Sequence, residues 1–153
     1  MSTVSERLDE LGVTLPAVAA PVAAYVPAVR TGNQVWTSGQ LPFIDGALGT
    51  TGKVGAEVTA EEAADLARTA ALNALAAVDA LVGADKITRV LKIVGFVASA
   101  EGFTGQPTVV NGASNLMGEI FGEAGAHARS AVGVAELPLA APVEIELIVE
   151  VAD

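Results

Sequence analysis

Near its end the chain alternates apolar and acidic residues, and the stretch reads Val143-Glu144-Ile145-Glu146-Leu147-Ile148-Val149-Glu150-Val151. Successive side chains of a β-strand point to opposite faces, so this period of two predicts a strand with one drier and one wetter face. Glu144 and Glu146 fall together on the wetter face. Two carboxylates this close repel each other, and partial burial would raise the pKa of at least one of them.

Further stretches predict strands of the same sheet. Residues 87–99 are almost continuously apolar, which is typical of a strand buried on both faces. Residues 129–137 predict a strand that is joined to the last one by residues 138–142. Upstream, residues 25–30 and 34–37 flank the turn-forming Thr31-Gly32-Asn33 and therefore predict a β-hairpin.

A threonine followed three residues later by a glutamate marks the start of two helices. Thr3 and Glu6 form such a capping box, and Gly12 ends the short helix that follows. Thr59 and Glu62 form another, which opens the longest helix. One stripe of that helix is predicted to be buried, and it comprises Leu66, Thr69, Ala70, Asn73, Leu75, Val78 and Leu81.

The order of elements predicts an α+β fold. The long helix ends at Gly83, and another helix is predicted from about Pro107 to Glu123. After the N-terminal helix the chain thus runs hairpin, helix, strand, helix and two strands. That order favours a mixed sheet with two helices packed on one face. The opposite face still carries apolar residues, so it needs a partner.

Composition favours an oligomer over a membrane protein. Hydrophobic residues make up 52% of the 153 residues, and the mean hydropathy is +0.52. The longest segment of low charge, residues 69–82, has about fourteen residues, fewer than the roughly 20 that a spanning helix needs. We therefore expect the excess apolar surface to be buried between copies of the chain.

Charge and residue usage exclude several other classes. The chain has 18 acidic and 8 basic residues, a formal charge of -10, and its basic residues are scattered, which argues against a nucleic acid partner. It has no cysteine and one histidine, so neither disulfides nor a histidine-based metal cluster is expected. Acidic residues come early and no basic segment precedes an apolar run, so no signal peptide is predicted and the cytoplasm is the expected location.

Arg129 is the first candidate for a binding residue. It opens an otherwise apolar strand directly after a loop. An arginine in a cleft can bind a planar carboxylate through two parallel hydrogen bonds, which lysine does less well. The residues alone leave a second interpretation equally open, in which Arg129 pairs with one of the 18 acidic residues.

Five other residues carry weaker signals. Glu144 could hold or deprotonate a water molecule, although a solvated strand face explains it as well. His127 could tune a pocket, or it could be a structural or solvent-facing side chain. Tyr25 and the pair Ser38-Gly39 lie at strand ends, where Ser38 could offer a hydroxyl and Gly39 a close backbone approach to a ligand.

Together these positions resemble a known pattern. The chain has Tyr25, Ser38-Gly39-Gln40, Val110-Asn111, Ala128-Arg129-Ser130, and Leu137-Pro138 followed by Val143-Glu144-Ile145-Glu146. In these features it is similar to the RidA/YjgF family of enamine/imine deaminases, a family also known as L-PSP endoribonucleases. The resemblance covers about residues 20–152. We therefore expect an N-terminal helix and connector over residues 1–19 and a RidA/YjgF-like domain over residues 20–153.

The resemblance implies a chorismate-mutase-like fold, a homotrimer and ligand sites in the clefts between subunits. It implies hydrolysis of reactive 2-enamino or 2-imino acids, such as 2-aminoacrylate, to 2-oxo acids and ammonia, without a metal or organic cofactor. Arg129 would bind the substrate carboxylate and Glu144 would hold the attacking water. The pocket would be lined by Tyr25, Ser38, Gly39, Asn111 and the backbone of Ala131.

The chain also departs from the family pattern. Ala131 stands where archetypal members have cysteine, and His127 stands where they often have proline. The long loop after Leu41 and the N-terminal helix further indicate a divergent subgroup. A non-catalytic protein that binds small 2-oxo acids is therefore the alternative function, and an endoribonuclease is disfavoured by the net charge of -10.

Overall fold

A computed structural model of the chain describes residues 2–21 and 23–153. Within these ranges no helix has the length and apolar character needed to cross a membrane. The helices are α1 (Val4–Leu11), α2 (Ala60–Val82) and α3 (Gln106–Phe121), and the strands are β1 (Ala28–Thr31), β2 (Gln34–Thr37), β3 (Ile87–Ala98), β4 (Ala128–Val134) and β5 (Val143–Val151).

The five strands form one mixed sheet in the order β1-β2-β5-β3-β4. Strands β3 and β4 run parallel, and the other neighbours run antiparallel. Strand β5, with its predicted bounds unchanged, lies in the middle of the sheet. The α+β prediction of a mixed sheet is thereby confirmed.

Helices α2 and α3 cover one face of the sheet, which we call the helix face. Its centre is formed by the dry side of β5, where Ile145 and Leu147 are each 1% exposed. Small residues let the layers approach closely: a Cβ built on Gly112 of α3 would overlap the backbone of Ala64 in α2, and one built on Gly95 of β3 would overlap Val110. The many alanines of α2 serve the same close packing.

The helix ends follow the local sequence signals, with one exception. Thr3 and Glu6 form the full capping box, and Gly12 ends α1 in the left-handed region at a φ of 68°. At the start of α2, Thr59 Oγ1 accepts a hydrogen bond from the Glu62 amide, as predicted. The reciprocal bond is absent from the described contacts, because the Glu62 carboxylate accepts from the Thr59 hydroxyl instead of the backbone N–H.

Three other predicted details are wrong. Strand β1 begins at Ala28 and not at Tyr25, since Pro27 has no N–H to offer a strand ladder. Strand β4 ends at Val134, three residues before the predicted Leu137. Leu81, at the end of the predicted buried stripe, is 45% exposed.

No helix of residues 2–21 and 23–153 covers the other face of the sheet, which we call the open face. It carries Glu144 and Glu146 together with several apolar side chains. Trp36 is 47% exposed there and Val132 is 44% exposed. Apolar residues on this face include Val29, Trp36, Val94, Phe96, Val132 and Ile148. The apolar open face predicted from the sequence is thereby confirmed.

Candidate functional site

Glu144 lies at the start of β5 on the open face, beside the segment that follows β2. Gln40 and Ile145 exchange two backbone hydrogen bonds, of 2.8 and 3.0 Å, which hold that segment against β5. A Cβ built on Gly39 would overlap the carboxylate of Glu144. Glu144 therefore packs directly onto the backbone of Gly39, and a side chain at position 39 would displace the end of the Glu144 side chain.

Ser38 anchors the chain that leads into β1. Its hydroxyl donates to the carbonyl of Val26 at 2.6 Å, and its amide donates to the carbonyl of Pro27 at 2.8 Å. These two bonds bring the segment around Tyr25 alongside Gly39 and Glu144. The hydroxyl hydrogen of Ser38 is thus engaged within the chain, while the oxygen keeps lone pairs that can accept a hydrogen bond.

These residues border one cavity of about 440 Å³. Tyr25, Ser38, Gly39 and Glu144 form its polar side. Its size falls within the usual range for small-molecule sites. Apart from Gln40, its remaining walls are small or apolar, and they comprise Ala19, Ala20, Pro21, Ala23, Pro27, Leu41, Phe43 and Pro138.

The cavity changes the acidity of its carboxylate. Burial raises the pKa of Glu144, and the negative charge of Glu146 raises it further. Burial also raises the pKa of Glu146, although the positive charge of Lys92 opposes the shift. The sequence-based prediction of a raised pKa at this pair is confirmed. A carboxylate whose charged form is destabilised is a better proton acceptor than an ordinary surface glutamate.

Arg129 lies elsewhere, on the outer strand β4 and on the helix face. Its Nη1 donates to Asn111 Oδ1 at 2.7 Å and to Ser114 Oγ at 3.2 Å. Its Nη2 donates to the carbonyl of Pro107 at 3.4 Å. All three acceptors belong to α3, and all three are neutral.

No carboxylate within the described ranges forms an ion pair with Arg129. The ion pairs found there involve Arg7, Lys53 and Arg68. Of the two interpretations left open by the sequence, pairing with an acidic residue of the same chain is therefore not observed. The guanidinium is held in place without being neutralised, which leaves its charge available to an anion.

Two further residues complete the surroundings of Arg129. Ser114 Oγ lies 2.9 Å from His127 Nε2, and His127 Nδ1 lies 2.6 Å from the carbonyl oxygen of Gly125. Sequence reasoning missed Ser114. The available signal was its spacing, because residues three apart on a helix share a face and Ser114 follows Asn111 by three.

The candidate residues form two separate groups in the described part of the chain, one on each face of the sheet. Phe96 pairs with both Glu144 and Val132, so Val132 shares the open face with Glu144. Arg129 and Ala131 precede Val132 by an odd number of residues and therefore lie on the helix face, where Ala131 packs against the core. From strand spacing and rise, the Cα atoms of Arg129 and Glu144 are about 14 Å apart.

No group of three or more histidine, aspartate or glutamate side chains suited to a metal ion occurs in residues 2–21 and 23–153.

The five-stranded mixed sheet with two helices on one face defines an α+β fold of the chorismate-mutase-like type. A sequence model of the family described as "YjgF/chorismate_mutase-like, putative endoribonuclease" matches residues 5–151. The chain belongs to this family. The match includes α1 as well as the sheet and its two helices.

Individual relatives agree with this assignment. Protein TCP17 of Trypanosoma cruzi is 46% identical over 149 residues, which cover 96% of this chain and 93% of the relative. The 2-iminobutanoate/2-iminopropanoate deaminase of Dermatophagoides farinae is 34% identical over 137 residues, covering 90% and 93%. The crystal structure of Atu1372 from Agrobacterium tumefaciens superposes with a TM-score of 0.89 at 48% identity, covering 97% of this chain and 92% of that one.

Proposed function

We propose that this protein hydrolyses small 2-imino acids, and their 2-enamino tautomers such as 2-aminoacrylate, to 2-oxo acids and ammonia. The observation that carries the proposal is the state of Arg129, an arginine oriented by neutral acceptors with no carboxylate partner among the described residues. Such a guanidinium is suited to a substrate carboxylate. The relative from Dermatophagoides farinae, named for deamination of 2-imino acids, supports this substrate class.

Glu144 supplies the proton chemistry in this proposal. Its carboxylate accepts a proton from a water molecule as the water oxygen bonds to the imine carbon. With the imine nitrogen already protonated, this addition gives a neutral carbinolamine. Glu144 returns its proton to the carbinolamine nitrogen, and as the C–N bond breaks the hydroxyl proton passes to the Glu144 carboxylate and then to solvent, so that a 2-oxo acid and ammonia leave. The raised pKa of Glu144 suits a group that takes up and then returns a proton. No metal or organic cofactor takes part in this scheme.

The site would be shared between copies of the chain. Because Arg129 and Glu144 lie on opposite faces of one sheet, about 14 Å apart by strand geometry, one small substrate cannot reach both in a single chain. Placing the β4 edge of one copy over the open face of the next would unite them. It would also cover exposed apolar residues such as Trp36 and Val132. We propose a homotrimer with three such clefts.

Sedimentation tests the assembly directly. We expect a single species with the mass of three chains at micromolar concentration. Trp36→Glu places a charge on the open face and should shift that species toward monomer without loss of the monomer fold, as followed by circular dichroism. A wild-type protein that sediments as a monomer would contradict the shared site.

The activity is tested with 2-aminoacrylate generated in situ by a desulfurating or dehydrating enzyme. Wild type should accelerate pyruvate and ammonia release, and Arg129→Ala should abolish the acceleration. Arg30→Ala is the matched control, because Arg30 is an exposed arginine on β1 that donates to the backbone carbonyls of Gly32 and Ala152. Equal rates with wild type, Arg129→Ala and no protein would refute the proposal.

A second function is binding of 2-oxo acids without turnover. It is favoured by the engagement of the Ser38 hydroxyl with Val26, which leaves fewer donors for a reacting substrate. Calorimetry with pyruvate separates the two functions: tight binding that depends on Arg129, without accelerated ammonia release, supports the second. Ribonuclease activity is disfavoured by the net charge of -10.

A further inference from the structure

We infer that Ser114 and His127 are positioning residues for Arg129, and that they hold its guanidinium so that the Nε–Nη2 edge is presented to a carboxylate. The inference rests on the proposed function for the identity of the ligand. Its structural part depends only on the contacts of three side chains, in helix α3, in the loop before β4 and in β4 itself.

The carbonyl of Gly125 fixes the tautomer of His127. A carbonyl oxygen only accepts hydrogen bonds, so the 2.6 Å contact requires a hydrogen on Nδ1. In the neutral ring Nε2 is then an acceptor, and Ser114 donates its hydroxyl hydrogen to it at 2.9 Å.

The orientation of the Ser114 hydroxyl is set in turn. With its hydrogen directed at His127, its oxygen lone pairs face Arg129 and accept from Nη1 at 3.2 Å. Every bond in the series from Arg129 to Gly125 therefore runs in one direction, and hydrogen bonds arranged in this way polarise and strengthen one another. Ser114 Oγ is thus a better acceptor for Arg129 because its hydroxyl hydrogen is donated to His127.

The series determines which edge of the guanidinium remains for a ligand. Nη1 has two hydrogens, and they are directed to Asn111 and Ser114. Nη2 makes one long bond to Pro107, and Nε makes none to any residue within the described ranges. The Nε–Nη2 edge provides the two parallel donors of a bidentate carboxylate contact. Ser114 and His127 therefore act on binding through Arg129.

The single histidine of the chain makes the first test spectroscopic. In full-length protein with ¹⁵N-labelled histidine at pH 8, we expect the Nδ1–H tautomer and a hydrogen-bonded Nε2. Ser114→Ala should move the Nε2 resonance, and Asn115→Ala, the neighbouring exposed position on α3, should leave it unchanged. An Nε2–H tautomer in wild type, or an unchanged resonance in Ser114→Ala, would overturn the inference even if no variant is active.

The second test is functional and uses pyruvate binding together with 2-aminoacrylate turnover. Loss of one hydrogen bond predicts about fivefold weaker binding and a similar rise in KM for Ser114→Ala, with kcat little changed. His127→Ala should match it, and His127→Gln, which can place an acceptor near the position of Nε2, should restore most of the loss. The double variant Ser114→Ala/His127→Ala should be no worse than either single variant.

The outcomes separate this inference from the proposed function. Additive losses in the double variant, or no rescue by His127→Gln, would mean that the two residues do not act as one series. Wild-type protein that neither binds pyruvate nor turns over would instead refute the proposed function, and the tautomer measurement would still decide whether the series exists.

Discussion

The two groups of candidate residues are built in opposite ways. Arg129 is a charged group held on the helix face by three hydrogen bonds to neutral acceptors. Glu144 is a charged group on the open face, where burial and a neighbouring carboxylate disfavour its charge. The difference separates two tasks, because a rigid cation is suited to fixing a substrate and a destabilised anion is suited to accepting a proton.

Among substitutions that keep the size of the side chain, the largest effect is expected on the proton-transfer side of this comparison. Glu144→Gln keeps the shape of the side chain but removes its capacity to accept a proton, so turnover of 2-aminoacrylate should fall by about 10³-fold. Pyruvate binding should remain near the wild-type value, because Arg129 is untouched. Turnover and pyruvate binding by calorimetry are measured on the same variant. A Glu144→Gln protein that lost pyruvate binding but kept its turnover rate would contradict the assignment of proton transfer to Glu144 and binding to Arg129.

The contact between Gly39 and Glu144 gives the next effect. In Gly39→Ala the new methyl group overlaps the Glu144 carboxylate and must displace it. A displacement of about 1 Å can cost about 10²-fold in rate, and we expect a loss of that order in kcat/KM. Gly49→Ala is the control, since a Cβ at Gly49 has no atom within 4 Å. Equal kcat/KM values for Gly39→Ala and Gly49→Ala would show that Gly39 has no role in the site.

A smaller change is expected when the cation is kept but its shape is lost. Arg129→Lys preserves the charge, but a lysine ammonium cannot make two parallel hydrogen bonds to a carboxylate. Pyruvate should bind about tenfold more weakly, with a corresponding rise in KM. Wild-type affinity in Arg129→Lys would show that charge alone, and not the oriented edge of the guanidinium, binds the ligand.

The smallest effect concerns the neighbouring carboxylate. Activity requires ionised Glu144, so the rate should decline as the pH falls through the pKa of that group. Glu146→Gln removes a negative charge that raises this pKa, so the acidic limb of the kcat/KM profile should move to lower pH. A limb that stays in place, or moves to higher pH, would mean that another group controls it.

Local patterns in the sequence predicted the elements well. Alternation over residues 143–151 gave β5 its bounds, and Gly12 and Gly83 marked the ends of α1 and α2. The predicted start of β1 was wrong because the prediction relied on the β-branched and aromatic residues of the segment. Pro27 has no backbone N–H, and the strand ladder therefore begins only after it. Such errors arise where one backbone requirement overrides side-chain preference.

The arrangement of the candidate site could not be predicted from local sequence patterns. That Arg129 and Glu144 lie on opposite faces depends on the register of two strands with β3, which no spacing along the chain reveals. The contact of Ser114 with His127 likewise joins a helix to a loop thirteen residues away. Arg129 and Glu144 could be named from the resemblance, whereas their division into two groups and the role of Ser114 required the three-dimensional structure.

The central claim is that Arg129 of one copy and Glu144 of another act on the same substrate. Arg129→Ala and Glu144→Gln should each be inactive alone. When the two variants are denatured, mixed in equal amounts and refolded together, random assortment should unite an intact Arg129 with an intact Glu144 in about a quarter of the clefts of a symmetric oligomer. We therefore predict that the mixture recovers about a quarter of wild-type turnover. A refolded mixture that assembles normally and stays inactive would contradict the shared site.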